Sequence, residues 1–317
     1  MSRYKVVMTA QLFPSADIER EMLASIGATL EVADGSKEDV LRRSREADAL
    51  LTHYFRIDAG VISELAACRV IARYGIGVDS IDLRAARDRG IVVTNVPDFC
   101  VEEVAVHSLA LLLGLLRKVV AGDAYVRAGH WSVGGLAPIR RLSTLTVGQI
   151  GYGRIARHLA ATLVQLGCTL LTYDPYLPEP PAGTRQVGLE QLLCESDAVL
   201  IHAPLTPETS GLIGARELGL MPAHAVLVNT SRGGLVDLDA LLGALRAGAI
   251  AGAALDVFDQ EPVHPGRLAG VPNLIVSQHI GYYSAEATIE SQRKATTQVL
   301  KVLRGEAPDY PVLPPPG

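Results

Sequence analysis

Short apolar, β-branched runs alternate with segments of helical period along nearly the whole chain. The first five runs are Lys5 to Thr9, Ala28 to Val32, Ala49 to Thr52, Val70 to Arg73 and Ile91 to Thr94. Amphipathic segments over Asp17 to Ile26, Lys37 to Arg45, Ala59 to Ala67 and Ile81 to Arg89 separate them. Strands buried on both faces read as continuous apolar runs, and the segments between them suit crossover helices. Five strands and four helices therefore predict a small doubly wound α/β domain over residues 1–100.

Val101 to Val120 reads as one long helix rich in Leu and Ala, opened by Glu102 and Glu103 and closed by Arg117 and Lys118, charges that match the helix dipole. Ala121 to Ser143 carries Gly122, Gly129, Gly134, Gly135 and the only tryptophan, Trp131. It reads as a loop too apolar for a solvated linker, and residues 101–143 are expected to form a linking helix and a dimerisation arm. Six further strands follow: Thr146 to Ile150, Thr169 to Tyr173, Ala198 to His202, Ala225 to Asn229, Ala251 to Asp256 and Leu274 to Ser277. Pro178, Pro180 and Pro181 mark an exposed turn, and the Pro-rich end reads as an ordinary tail. A last helix from Ser284 to Arg304 can rejoin the first domain. That organisation gives residues 1–100 plus 285–317 as one domain and 101–284 as a second inserted in it. Two chain crossings make a hinge, with the cleft between domains as the expected site.

The 317 residues carry a net charge of −5 and no run of Lys or Arg, which argues against nucleic acid and anionic membrane surfaces as partners. Cys68, Cys100, Cys168 and Cys194 are widely spaced, so neither a disulfide framework nor a zinc site is indicated, and all four read as buried reduced thiols. No metal site is expected. The start MSRYKVVMTA lacks a signal-peptide pattern. The longest apolar run, Val104 to Leu116, contains His107 and Ser108 and is too short to span a bilayer. Small-molecule chemistry in the cytoplasm is the expectation.

The chain is organised around LTVGQIGYGRIARHLAATLVQLGCTLLTYD, from Leu145 to Asp174. It reads as strand, glycine turn, helix, strand, with a lone carboxylate at the end. Gly151 can turn tightly, Gly153 lets backbone approach a pyrophosphate, and Ala156 allows close helix–strand packing. The helix opening at Gly153 offers unpaired N–H groups to phosphate. Asp174, 21 residues beyond Gly153, suits an adenosine ribose and disfavours a 2′-phosphate, so NAD is expected over NADP. The motif G-x-G-x-x-A also closes strand–helix joints that bind nothing. Its flanking pattern favours a nucleotide.

Three charged groups fall at the ends of later strands, where open α/β sheets place ligands. Arg232 follows Asn229, Glu261 follows Asp256, and His279 follows Ser277. Singly they read as a surface ion-pair residue, a solvated turn residue and a hydrogen-bonded structural histidine. Together they suit hydride transfer to a 2-keto acid. A guanidinium can bind the carboxylate in a fork and polarise the carbonyl. An imidazole can exchange a proton with that oxygen near neutral pH, and a carboxylate beside it fixes its orientation.

The motifs TVGQIGYGRIAR, HAPLTPET, LVNTSRGGLVD, DVFDQEP and QHIG, together with RYGIGVDSID at Arg73, resemble those of the D-isomer-specific 2-hydroxyacid dehydrogenases over nearly the whole chain. VTNVPDFCVEEVA and HIGYYS look most like the branch of the C-terminal-binding-protein corepressors and their bacterial enzyme relatives. The resemblance implies a flavodoxin-like substrate domain and a Rossmann NAD-binding domain with a cleft between them. It implies an NAD-dependent oxidoreductase, expected as a homodimer, acting on a small 2-keto or 2-hydroxy acid. Arg232 would bind the substrate, Glu261 would support the imidazole and His279 would be the acid/base. Arg154 and Ile155 would lie at the pyrophosphate, Asp174 at the ribose, and Thr230, Ser231 and Asp256 near the nicotinamide. His202, Pro204 and Thr209 would line the cofactor's path.

In the first domain, Gly75, Ile76 and Gly77 would hold the substrate carboxylate through backbone N–H groups. Tyr54, with Phe55 and Arg56, and Arg73 with Tyr74, are either substrate-facing or surface residues. The sequence departs from the family pattern at Ser80, at Gln278 and at Tyr282, which stands where corepressor relatives carry a tryptophan beside the substrate. An NAD-sensing corepressor-like protein and a phosphoglycerate dehydrogenase-type enzyme are the alternative readings.

Overall fold

A computed structural model describes residues 3–180 and 182–314, so Pro181 of the expected turn and the last three residues of the tail lie outside the described residues. The chain divides into two compact units, Met1–Cys100 with Tyr283–Gly317, and Val101–Tyr282.

In the first unit, β1 (Tyr4–Met8), α1 (Asp17–Ala24), β2 (Ala28–Val32), α2 (Lys37–Ser44), β3 (Ala49–Thr52), α3 (Ala59–Ser63), β4 (Val70–Arg73), α4 (Leu83–Asp88) and β5 (Val92–Thr94) follow the order read from the sequence. All pair in parallel in the order β2-β1-β3-β4-β5, the flavodoxin-like arrangement. Every residue of β3 and β4 is buried, which is why these strands show no polar alternation. Ser36, Asp58 and Asp82 accept hydrogen bonds from the N–H groups of Asp39, Val61 and Ala85, capping α2, α3 and α4. Caps of this kind contribute about 1 kcal/mol each.

The second unit opens with α5 (Val101–Leu116) and α6 (Val119–Arg127). The expected single helix to Val120 is broken at Lys118, which takes a left-handed φ of 55°, and the two helices meet at a bend of 52°. Apolar continuity across the break concealed it, because Val119 and Val120 do not extend the buried stripe of α5 but are exposed. Ala121 to Ser143 is correspondingly not all loop. Its first part is α6, and short 3₁₀ turns follow at Gly134–Leu136 and Leu142–Thr144.

The unit continues with β6 (Thr146–Ile150), α7 (Arg154–Gln165), β7 (Thr169–Tyr173), β8 (Arg185–Gln186), α8 (Leu189–Glu195), β9 (Ala198–Ile201), α9 (Ala215–Leu220), β10 (Val226–Asn229), α10 (Leu238–Ala247), β11 (Gly252–Leu255), α11 (Pro265–Leu268) and β12 (Leu274–Val276). The parallel sheet runs β12-β11-β10-β9-β6-β7-β8. The six expected strands are joined by a seventh, β8, whose two residues are too few to leave an apolar run. The order reverses between β6 and β9, which opens a crevice at the carboxyl ends of those strands. Ala105, Leu111 and Leu112 of α5 pack with Val147, Leu159, Val228 and Ala254, fixing α5 against this sheet.

Finally α12 (Ala285–Arg304), capped by Ser284, completes the first unit. Its Gln292 donates to both carboxylate oxygens of the fully buried Glu19 at 3.1 Å, and Glu19 also accepts from the Tyr74 hydroxyl at 2.9 Å. The tail is not an idle end. Thr94 and Pro311 form an antiparallel bridge, and the Val312 N–H donates to Val93 O at 2.8 Å. Cys68, Cys100 and Cys168 are buried, but Cys194 is exposed, against expectation. Among the described residues no single helix is long and apolar enough to cross a membrane.

Candidate active site

The glycine turn sits at the reversal of strand order. Gly151, at φ 83°, lies where a Cβ would stand 2.7 Å from the backbone N of Ala203, so the turns after β6 and β9 can touch only if this residue is glycine. Gly153 caps α7, and a Cβ there would meet no protein atom within 4 Å. Open space in front of a helix N-terminus suits a phosphate. Arg154 is exposed and Ile155 half-buried at that same first turn. Asp174 is half-buried beyond β7, and its two oxygens accept from the N–H groups of Tyr152 and Tyr176, each at 2.9 Å. The carboxylate thereby fixes the glycine turn.

His202 follows β9. Burial pushes its imidazole down to about 4, and its Nε2 has no hydrogen-bond partner among the described residues. A buried polar atom left in this state is an opening for a ligand. Pro204 is exposed, and Thr209 spends its hydroxyl inside the same turn, donating to Pro204 O at 2.7 Å and accepting from Thr206 N–H at 2.7 Å. Ser231 donates to Ala203 O at 2.6 Å, tying the turn after β10 to the turn after β9.

The other half of the edge is built by β10, β11 and β12, three consecutive neighbours in the sheet. Arg232 follows β10 on a turn held by Asn229, whose side-chain amide donates to Arg232 O at 2.9 Å and whose carbonyl oxygen accepts from Ser231 N–H at 3.0 Å. Gly233 fits against the loop after β11 so closely that a Cβ would lie 1.9 Å from the carbonyl carbon of Phe258. That loop carries Glu261, which accepts from Phe258 N–H at 3.0 Å and from His279 Nδ1 at 2.7 Å. Burial alone would raise the Glu261 carboxyl, but the bonds from His279 and Phe258 and the nearby charges of His279 and Arg232 outweigh it and lower it. Arg232, Glu261 and His279 are thus brought together. The Tyr282 ring stands edge-on to the imidazole, with centroids 6.2 Å apart.

His279 itself has a left-handed backbone, φ 54°, uncommon outside glycine. Its N–H donates to Asp256 O at 2.7 Å. Asp256 is buried, and its carboxylate accepts from Ser277 Oγ at 2.6 Å, Ile280 N–H at 3.0 Å and Gly281 N–H at 2.9 Å. Burial opposes ionisation there, yet these donors and His107, 3.4 Å away, hold the group at about 2. Thr230 likewise turns inward, its hydroxyl 2.7 Å from Ser108 Oγ. The sequence showed His107 and Ser108 as polar interruptions of an apolar run. Nothing in it linked them to loops more than a hundred residues away.

Within the first unit, Tyr54 is half exposed, with its ring 4.0 Å from that of His53. Gly75 lies against the Arg73 guanidinium, and Ile76 O accepts from the Asn95 side chain at 2.7 Å. The N–H groups of Ile76 and Gly77 donate to nothing among the described residues.

A cavity of about 550 Å³ in the second unit is lined by Leu115, Val120, Ala124, Leu145, Val226 and Leu274. It lies at the amino ends of the strands, away from the crevice. No cluster of three or more potential metal ligands occurs among the described residues.

Residues 109–281 match the NAD-binding domain of the D-isomer specific 2-hydroxyacid dehydrogenases. The chain is 38% identical over 279 residues to a glyoxylate reductase from Thermococcus litoralis, covering 85% of this chain and 84% of that protein. It is 35% identical over 308 residues to a D-3-phosphoglycerate dehydrogenase from Methanocaldococcus jannaschii, covering 95% of this chain but 58% of the relative. Among solved structures, a D-lactate dehydrogenase from Aquifex aeolicus complexed with NAD and lactic acid is similar with a TM-score of 0.88 and 26% identity, covering 98% of this chain and all of that one. With over half its length matched by the family's NAD-binding domain and close curated relatives across most of the rest, the chain belongs to the D-isomer specific 2-hydroxyacid dehydrogenase family.

Proposed function

We propose that the protein reduces a small 2-keto acid to the D-2-hydroxy acid with NADH, and runs the reverse oxidation, with Arg232, Glu261 and His279 as the reacting side chains. The observation that carries this reading is the imidazole bonded through Nδ1 to a carboxylate at 2.7 Å, with a guanidinium close enough to lower that carboxylate. When bound, NADH supplies the hydride that reaches the carbonyl carbon. Arg232 binds the substrate carboxylate and polarises the carbonyl oxygen. His279, with Nδ1–H directed to Glu261, gives its Nε2 proton to that oxygen and takes it back in oxidation. Glu261 stays ionised and stabilises the imidazolium.

The residues fit a dinucleotide. Open space at Gly153 and the first turn of α7, with Arg154 and Ile155, would hold the pyrophosphate. Asp174 would take the ribose hydroxyls and select NADH over NADPH. His202 Nε2, Pro204, Thr209, Thr230, Ser231 and Asp256 would border the path to the nicotinamide. We assign carboxylate recognition in the first unit to Gly75 and the N–H groups of Ile76 and Gly77, and substrate side-chain preference to Tyr54 and Tyr282.

A keto acid of the glyoxylate class is favoured by the Thermococcus relative, matched over most of both chains. A phosphoglycerate dehydrogenase-type activity is the second reading, supported by the Methanocaldococcus relative. We further infer a homodimer through α6 and the segment after it, where Val119, Val126, Trp131 and Val133 are exposed apolar side chains next to the apolar cavity. A cytoplasmic location accords with four free cysteines.

The test pairs 2-keto acids with carbonyl compounds of the same size that lack the carboxylate. NADH oxidation by glyoxylate, hydroxypyruvate or pyruvate but not by the matched aldehydes and ketones supports the reading. Equal rates with both sets would remove Arg232 from its role.

A further inference from the structure

We propose that His107 and Ser108, consecutive residues on α5, are positioning residues that hold the Arg232 loop and the His279 loop in register with one another. The proposal rests on the reading of Arg232 and His279 as the reacting pair.

Consecutive helical residues point about 100° apart, so one turn of α5 can reach two different loops. Ser108 is fully buried and gives its proton to Val104 O at 2.7 Å, which leaves its oxygen to accept from Thr230 at 2.7 Å. Thr230 stands two residues before Arg232. The second prong is His107. Ser277 donates to Asp256 at 2.6 Å, so the 3.0 Å contact between His107 Nε2 and Ser277 Oγ requires the imidazole to donate. The same Nε2 lies 3.4 Å from Asp256 Oδ1.

Asp256 in turn is the anchor of the His279 loop. Its backbone oxygen takes the His279 N–H and its carboxylate takes those of Ile280 and Gly281. The imidazole of His107 also walls this loop by packing: a Cβ on Gly281 would stand 3.2 Å from His107 Cδ2 and 2.9 Å from Asp256 Oδ2. His279 is held in a left-handed backbone conformation that other residues seldom adopt, so its orientation depends on these contacts. The frame behind both prongs is rigid, because Leu111 and Leu112 fix α5 in the core of the sheet.

Satisfying the Asp256 carboxylate does not by itself require His107, since Ser277, Ile280 and Gly281 already donate to it. What His107 and Ser108 add is a common reference for two loops that follow different strands. Displacing reacting groups by about 1 Å costs up to about 10²-fold in rate. A change at His107 should therefore act on turnover and leave ground-state binding alone.

The experiment uses the full chain and compares His107→Ala, His107→Gln, Ser108→Ala, Ser277→Ala and the His107→Ala/Ser277→Ala double variant. Turnover of the best keto acid, its KM and the NADH Kd are measured beside hydrogen–deuterium exchange of residues 277–282. In His107→Ala we expect kcat to fall about 10- to 100-fold, with KM and Kd within about twofold. Exchange at Ile280 and Gly281 should accelerate, His107→Gln should recover part of the loss, and the double variant should be no slower than the worse single. An unchanged kcat, a loss confined to KM, multiplying losses in the double variant, or unchanged exchange in residues 277–282 each overturns the proposal. If the wild type turns over no keto acid, the proposed function falls, and the exchange result alone then decides whether His107 holds the loop.

Discussion

His279 Nδ1 lies 2.7 Å from Glu261 Oε2, and that carboxyl is held below its ordinary range, so Glu261 is a carboxylate that accepts from the ring and orients it. Replacing His279 by Ala should lower kcat by about 10²- to 10⁴-fold, the scale of a general acid/base. Glu261→Gln keeps the shape but removes the charge that favours the imidazolium. It should lower kcat/KM by about 10-fold or more, less than the loss of His279 itself. Steady-state kinetics of the two variants check this.

Gly233 permits the approach that brings Arg232 beside Glu261. A methyl group there would lie 1.9 Å from the Phe258 carbonyl carbon, a distance only backbone movement can relieve. Gly233→Ala should destabilise the protein by about 1–3 kcal/mol and reduce kcat/KM together with it. Thermal unfolding and steady-state kinetics on the same preparation measure both.

Asp174 serves the glycine turn through Tyr152 N–H and is the expected ribose acceptor. Asp174→Ser should raise the KM for NADH and narrow the ratio of kcat/KM values for NADH and NADPH by about tenfold or more. A ratio that stays at the wild-type value would remove Asp174 from cofactor selection.

Asp256 has a folded value of about 2 against an ordinary 3.8. A depressed carboxylate stabilises the fold fully above its unfolded value and loses that contribution as pH falls through its folded value. Stability should therefore decline between about pH 4 and pH 2, by about 2 kcal/mol from this group. Asp256→Asn should be less stable at neutral pH and flatter across that window, as read by urea denaturation at stepped pH.

The legible parts of the fold were those written locally. Continuous apolar runs marked β3 and β4 because both faces are covered. Arg232, Glu261 and His279 could be read together because each ends a strand and parallel strands share an edge. The break at Lys118 left no such mark, since Val119 and Val120 are apolar but exposed. The two residues of β8 carry no pattern at all. The burial of Asp256 was not legible, because its donors Ser277, Ile280 and Gly281 reach it only through the fold. His107 and Ser108 appeared as blemishes in an apolar helix for the same reason.

The most direct measurement of the central claim is the chirality of the product formed when the wild-type protein oxidises NADH in the presence of pyruvate or hydroxypyruvate, with His279→Ala run in parallel. The wild type should form the D-2-hydroxy acid in amounts equal to the NADH consumed, and the variant little of either. NADH consumption that yields the L-isomer, or that persists undiminished without His279, would contradict it.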